Sequence, residues 1–93
     1  MIKIQFYSLL RMLLKQERIE LPAVENETIT QLLERVQQQL PTPFLHKLLA
    51  EDGNMHAGTI IMVNRKNVHH LDGLQTPVQD GDTVAMFPPG AGG

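Results

Sequence analysis

Seven residues at the end of this chain, Phe87-Pro88-Pro89-Gly90-Ala91-Gly92-Gly93, have the types and spacing best suited to chemistry. Two consecutive prolines fix φ and oppose both helix and further sheet pairing. They are expected to carry the chain away from the fold as a semi-stiff stem. Only small residues follow. A run without side chains has nothing to bury, and it suits threading through a narrow channel in a partner, where a Cβ would clash. At its end stands the Gly93 carboxylate. A carboxylate resists acyl transfer at neutral pH until it carries a leaving group. Adenylation by ATP would supply one, and a sulfur nucleophile could then displace AMP to leave a thiocarboxylate. The missing side chain at Gly93 keeps the carbonyl carbon open from both faces.

The chain carries no catalyst for that step. It has no GxxxxGK[ST] loop, no GxGxxG and no Arg/Lys cluster for ATP. Cysteine is absent, which removes disulfides, thiolate metal sites and a cysteine nucleophile together. Any sulfur must therefore be acquired. His69 and His70 are adjacent, so on a strand they would point to opposite faces, and His46 and His56 have no ligand spacing with them. Asp80 and Asp82 flank Gly81 and read as turn residues rather than an acid–base pair. The expectation is a chain with no catalytic residue, no metal and no bound cofactor, with ATP used by an activating partner.

Bulk properties narrow the class further. Ninety-three residues make one domain. A chain of this length buries roughly 60–65% of its unfolded surface. Net charge is −2 with no basic run, which argues against a nucleic-acid partner. No segment has the length of a membrane span or the pattern of a signal peptide. A cytoplasmic location without membrane association is the default expectation.

The elements that must hold the tail follow from periodicity. Residues 2–8 alternate, with Ile2, Ile4 and Phe6 on one side and Lys3, Gln5 and Tyr7 on the other, as in a half-buried strand. Residues 9–14 read as a short apolar helical turn that serves the core, and Arg18–Leu21 as a strand antiparallel to the first. The clearest helix spans about Ile29 to Gln39. Its apolar residues Ile29, Leu32, Leu33, Val36 and Leu40 fall on one face. Thr28 and Gln31 form a capping box, and Pro41 stops it. Thr42-Pro43 reads as the start of a second short helix. Asp52-Gly53-Asn54 is a turn. Thr59–Asn64 reads as a buried central strand, Arg65-Lys66-Asn67 as a turn, and Val68–Leu71 as a short edge strand. Leu74–Val78 reads as an irregular crossover, and Thr83–Phe87 as the last strand, with Val84 and Met86 opposite Phe87. One amphipathic helix must bury its stripe, so the economical fold is α+β, a mixed four- to five-stranded sheet packed on that helix. If the first and last strands lie side by side at the centre, a pairing that periodicity alone leaves open, the topology is a ubiquitin-like β-grasp. Residues 1–87 would form that domain and residues 88–93 a flexible Gly-Gly tail.

The segment from Leu71 to Gly93, with L-x-G-L-x-T-P-V-x-D-G-D-x-V-x-x-F-P-P and the terminal Gly92-Gly93, resembles the C-terminal signature of the MoaD family. Ile2–Tyr7, Leu10-Arg11, Asp52-Gly53 and Val63-Asn64 also fit. The resemblance implies that β-grasp pairing and a small subunit of molybdopterin synthase. It further implies adenylation of Gly93 by a MoeB-like adenylyltransferase, thiocarboxylation there, and tail insertion through Gly90, Ala91 and Gly92 into a MoaE-like large subunit. Phe87, Pro88, Pro89 and Tyr7 are the expected interface, although Tyr7 and Phe87 would equally serve to cover the outer sheet face. Gly90-Ala91 and Arg65-Lys66-Asn67 depart from the family pattern. A ThiS-type carrier for thiamin thiazole synthesis, a ubiquitin-like protein modifier and a tRNA-thiolation carrier share the same carboxylate logic.

Overall fold

In the computed structural model, which describes residues 1–90, alternation at the N-terminus yields β1 (Ile2–Phe6), with Ile2, Ile4 and Phe6 buried. A short helix α1 (Leu9–Leu14) leads to β2 (Arg18–Leu21), which pairs antiparallel with β1. The main helix α2 covers Ile29–Gln39. The capping box is formed in both directions: the Thr28 hydroxyl accepts from the Gln31 amide, and the Gln31 side chain accepts from the Thr28 amide. After α2 come β3 (Ile60–Val63), β4 (Lys66–Asn67) and β5 (Thr83–Phe87).

The sheet order is β2-β1-β5-β3-β4. First and last strands therefore sit together, parallel, with Ile4 opposite Val84 and Phe6 opposite Met86. β3 flanks β5 antiparallel. This is the β-grasp arrangement, a five-stranded mixed sheet holding one main helix. Ile29, Leu32, Leu33 and Val36 of α2 join Ile2, Ile4, Phe6, Ile61, Val63, Val84 and Met86 in one core. Phe44 closes its end, edge-on to Phe6 at 6.1 Å between ring centroids.

Four local expectations are corrected. The hairpin turn is Asn64-Arg65, both at positive φ (51° and 72°), as in a two-residue type I′ connection. Lys66–Asn67 is consequently strand, not turn. Asn64 tolerates this backbone because its side chain bonds locally: it donates to Asp82 and accepts from the Thr83 amide, which ties the hairpin to β5. Val68–His70 is a single 3-10 turn rather than an edge strand, capped by the Asn67 side chain on the His69 amide. The expected helix after Thr42-Pro43 shrinks to a 3-10 turn over Leu45–Lys47. Thr42 does not cap it. The Gln37 side chain accepts from the Phe44 and Leu45 amides instead. Finally, β3 buries only Ile61 and Val63; Ile60 and Met62 face the open side of the sheet, because no helix covers that side.

Two constraints outside the apolar core are testable. Glu27 is 3% exposed and accepts two hydrogen bonds from the Arg35 guanidinium, at 2.7 and 2.9 Å. A third guanidinium bond reaches the Pro22 carbonyl. The Glu27 carboxylate raises the Arg35 pKa above its ordinary value, chiefly through this hydrogen bond. Arg35→Met would strand a buried carboxylate and is expected to cost about 3 kcal/mol in denaturant unfolding. Ser8 sits at φ 55° and ψ −131° in the turn before α1, where Leu10 N–H bonds the Tyr7 carbonyl. That is glycine geometry, and the Ser8 side chain makes no capping bond in return. Ser8→Gly is expected to stabilise the fold by about 1 kcal/mol, read as a rise in melting temperature. An unchanged or lower value would show that the turn is not strained.

Candidate functional site

The site assembles where β1 and β5 end side by side. Tyr7 extends the parallel pairing by one bond, its amide donating to the Met86 carbonyl at 3.2 Å. This puts the Tyr7 and Phe87 rings face to face, 4.5 Å apart and 9° from parallel. The Tyr7 hydroxyl donates to the Gln5 side chain. Arg11, one turn into α1, lays its guanidinium over the outer face of the pair, 5.3 Å from the Tyr7 ring centroid. Its Nε donates to the Phe6 carbonyl and its other end pairs with Glu17 at 3.7 Å. Tyr7 and Phe87, expected to lie on the sheet's outer face, are thus brought together as one half-exposed plate. Arg11 was missed as part of it, since no spacing rule links Arg11 to an aromatic that faces it only after the turn at Ser8.

Below the plate the open face forms a hollow of about 550 Å³ over Gln5, Met62, Ala85 and Arg65. Ala85 stands between Gln5 and Met62 in the cross-strand row, so the small side chain makes the floor. Hollows on this face are lined by Lys3, Arg11, Arg18 and Arg65 against Glu17 and Glu20. Four of the eight Lys/Arg and two of the ten Asp/Glu of the chain are therefore gathered here. A face with a net positive charge sits on a protein with a net negative one.

The prolines differ from expectation. Pro88 is buried and Pro89 partly so. Pro89 lies against Gly58, where a Cβ would come within 3.1 Å of the Pro89 Cβ. Gly58 also has φ +91°, so any other residue would be strained as well as crowded. Pro88 and Pro89 therefore belong to the folded body rather than to a projecting stem. Gly90 is exposed with φ +81°. Ala91, Gly92 and Gly93 lie outside the described residues. Gly58 had no sequence signal, because its partner is remote in the chain.

Among the described residues no group of three or more His, Asp or Glu side chains is placed to hold a metal ion. His56 bonds the His46 carbonyl through Nε2 at 2.9 Å. Asp82 accepts from the Gln79 amide and from Asn64, and Asp80 pairs with the Met1 ammonium. That ammonium holds the Asp80 carboxyl below its ordinary pKa through a hydrogen bond. Both acids act as turn and terminus anchors. No described helix is long and apolar enough to cross a membrane.

The chain is 30% identical over 92 residues to small archaeal modifier protein 3 of Haloferax volcanii, covering 99% of this chain and 98% of that protein. It is 36% identical over 80 residues to a putative sulfur carrier protein of Archaeoglobus fulgidus, covering 86% and 89%. A chain in the crystal structure of the Amycolatopsis orientalis BexX/CysO complex has the same fold, with a TM-score of 0.79, 22% identity and full coverage of both chains. The matched sequences are a modifier and a putative sulfur carrier, so the similarity reaches wider than the MoaD family alone. The model of the ThiS family matches residues 4–93, nearly the whole sequence including the Gly-Gly end, and this chain belongs to that family.

Proposed function

We propose that this protein is a ubiquitin-like sulfur carrier and modifier whose Gly93 carboxylate is activated by a separate adenylyltransferase. The observation that carries the reading is the pairing of a side-chain-free Gly-Gly end with a stacked Tyr7–Phe87 plate at its root. A carrier needs both: an end that fits a catalyst's channel, and a rigid surface that positions it. The relatedness to a modifier and to a putative sulfur carrier supports the same reading.

The chemistry is acyl activation. A Gly93 carboxylate oxygen attacks the α-phosphorus of ATP, and pyrophosphate leaves. The acyl-adenylate then meets a nucleophile at the carbonyl carbon, and AMP leaves with the C–O bonding pair. Hydrosulfide gives a thiocarboxylate; a lysine amine gives an isopeptide after losing its proton. The chain's own part is positional. Pro88 and Pro89, packed against the fold, aim the tail, and the plate with its surrounding cations takes the partner's surface. The net positive face fits an acidic partner surface with an apolar centre. A partnership of the kind seen in the BexX/CysO complex is consistent with this division of labour. A second reading, the small subunit of molybdopterin synthase with a MoaE-like large subunit and a MoeB-like activator, is favoured by the Phe87-Pro88-Pro89…Gly92-Gly93 pattern.

Incubation with ATP, sulfide and the activating enzyme is expected to raise the intact mass by the difference between sulfur and oxygen. Loss of Gly93 is expected to abolish the shift without changing the melting temperature. No shift in the unaltered chain sinks the carrier reading. Gly93-dependent conjugates in cell extract favour the modifier role, and their absence together with sulfur transfer to a pterin precursor favours the synthase role. Phe87→Ala is expected to weaken partner binding by about 1–3 kcal/mol. Unchanged affinity with a lowered melting temperature would make Phe87 only a cover for the sheet.

A further inference from the structure

α1 was expected to serve the core, and only two of its six residues are buried there. Leu10 and Leu14 are buried, while Leu9 (55% exposed), Met12 (73%) and Leu13 (36%) are not. Three of the six large exposed hydrophobics of the described residues thus stand on one six-residue helix. Two of the three, Leu9 and Leu13, line a groove of about 460 Å³ together with Leu10, His46, Lys47, His56, Pro88 and Pro89; Met12 stands outside it.

The groove lies across the tail root from the aromatic plate. Phe87 faces the open side of the sheet, and Pro88, next in the chain, is buried and lines the groove. Tyr7 and Leu9 make the same split at the other strand, on either side of the Ser8 turn. A protein that takes the tail therefore meets apolar surface on both sides of its root.

Charge selects among occupants. The groove lining has Lys47 and two histidines and not one carboxylate. Neither Lys47 nor either histidine pairs with an acid among the described residues. The apolar floor and the Lys47 ammonium together call for an apolar segment that carries carboxylates.

We propose that this groove is a second docking surface, which receives an apolar, acidic segment of the protein that activates the tail. The inference rests on the carrier reading, and it adds a contact that the plate cannot supply. With the plate on one side and the groove on the other, the tail root is gripped from two directions. The groove thus adds binding surface for the partner beside the plate.

The test is the loading reaction, run with the activating enzyme and followed by intact mass at varied carrier concentration. Leu9→Gln with Leu13→Gln keeps good helix formers at two exposed positions, so the melting temperature is expected to hold. KM for the carrier is expected to rise at least about fivefold with kcat little changed. Lys47→Glu is expected to raise KM as well, and to flatten its dependence on salt. Unchanged KM in both variants, with the unaltered chain loading normally, overturns the groove and leaves the carrier reading standing. Failure of the unaltered chain to load overturns both. A dimer in sedimentation that the double variant dissolves, with KM unchanged, would mean that a second copy covers the groove, and the proposal fails.

Discussion

The parallel pairing of β1 with β5 is the constraint on which the rest depends. It joins the two ends of the chain at the centre of the sheet, although nothing local favours it. Parallel neighbours require a long connection, and here that connection is nearly the whole protein. Ile2, Ile4 and Phe6 from one strand and Val84 and Met86 from the other supply one continuous apolar floor for α2. The pairing also fixes what lies on the opposite side. Tyr7 must stand beside Phe87, and the tail must leave from the middle of the sheet rather than from an edge.

That position has a mechanical consequence. A tail leaving a central strand is anchored by neighbours on both sides. Pro88 is buried and Pro89 rests on Gly58, so the anchor continues past the last strand hydrogen bond. Small residues beyond the anchor make the transition abrupt: packed to Pro89, without side chains worth burying after Gly90. A carrier benefits from this contrast. A partner can bind a rigid surface and still receive an end thin enough for a catalytic channel.

Much of this was legible in the sequence, for physical reasons that vary by element. Helix α2 was readable to the residue because its stripe, its capping box and Pro41 all point the same way. Four of the five strands were readable, three from alternation and β3 from its apolar β-branched run, and the face assignments of Tyr7 and Phe87 came with them; the short β4 was not. What failed was governed by contacts remote in sequence or by unusual backbone. Arg65 at positive φ carries no turn signal of its own; Asn64 supplies it, by bonding Asp82 and Thr83. Val68 looked like strand because it is β-branched, but burial of its side chain and the Asn67 cap curl the chain instead. The prolines were read as a projecting stem because sequence cannot show Gly58 waiting beneath them. Arg11 and the α1 groove were invisible for the same reason: both depend on where the Ser8 turn sends the next helix.

The proposed acyl chemistry at Gly93, with the fold only presenting that end, is tested most directly by fragmentation of the intact loaded protein in the mass spectrometer. The extra mass of sulfur over oxygen is expected only on fragments that retain Gly93, down to the terminal residue itself. Extra mass on fragments that lack Gly93 would contradict that chemistry.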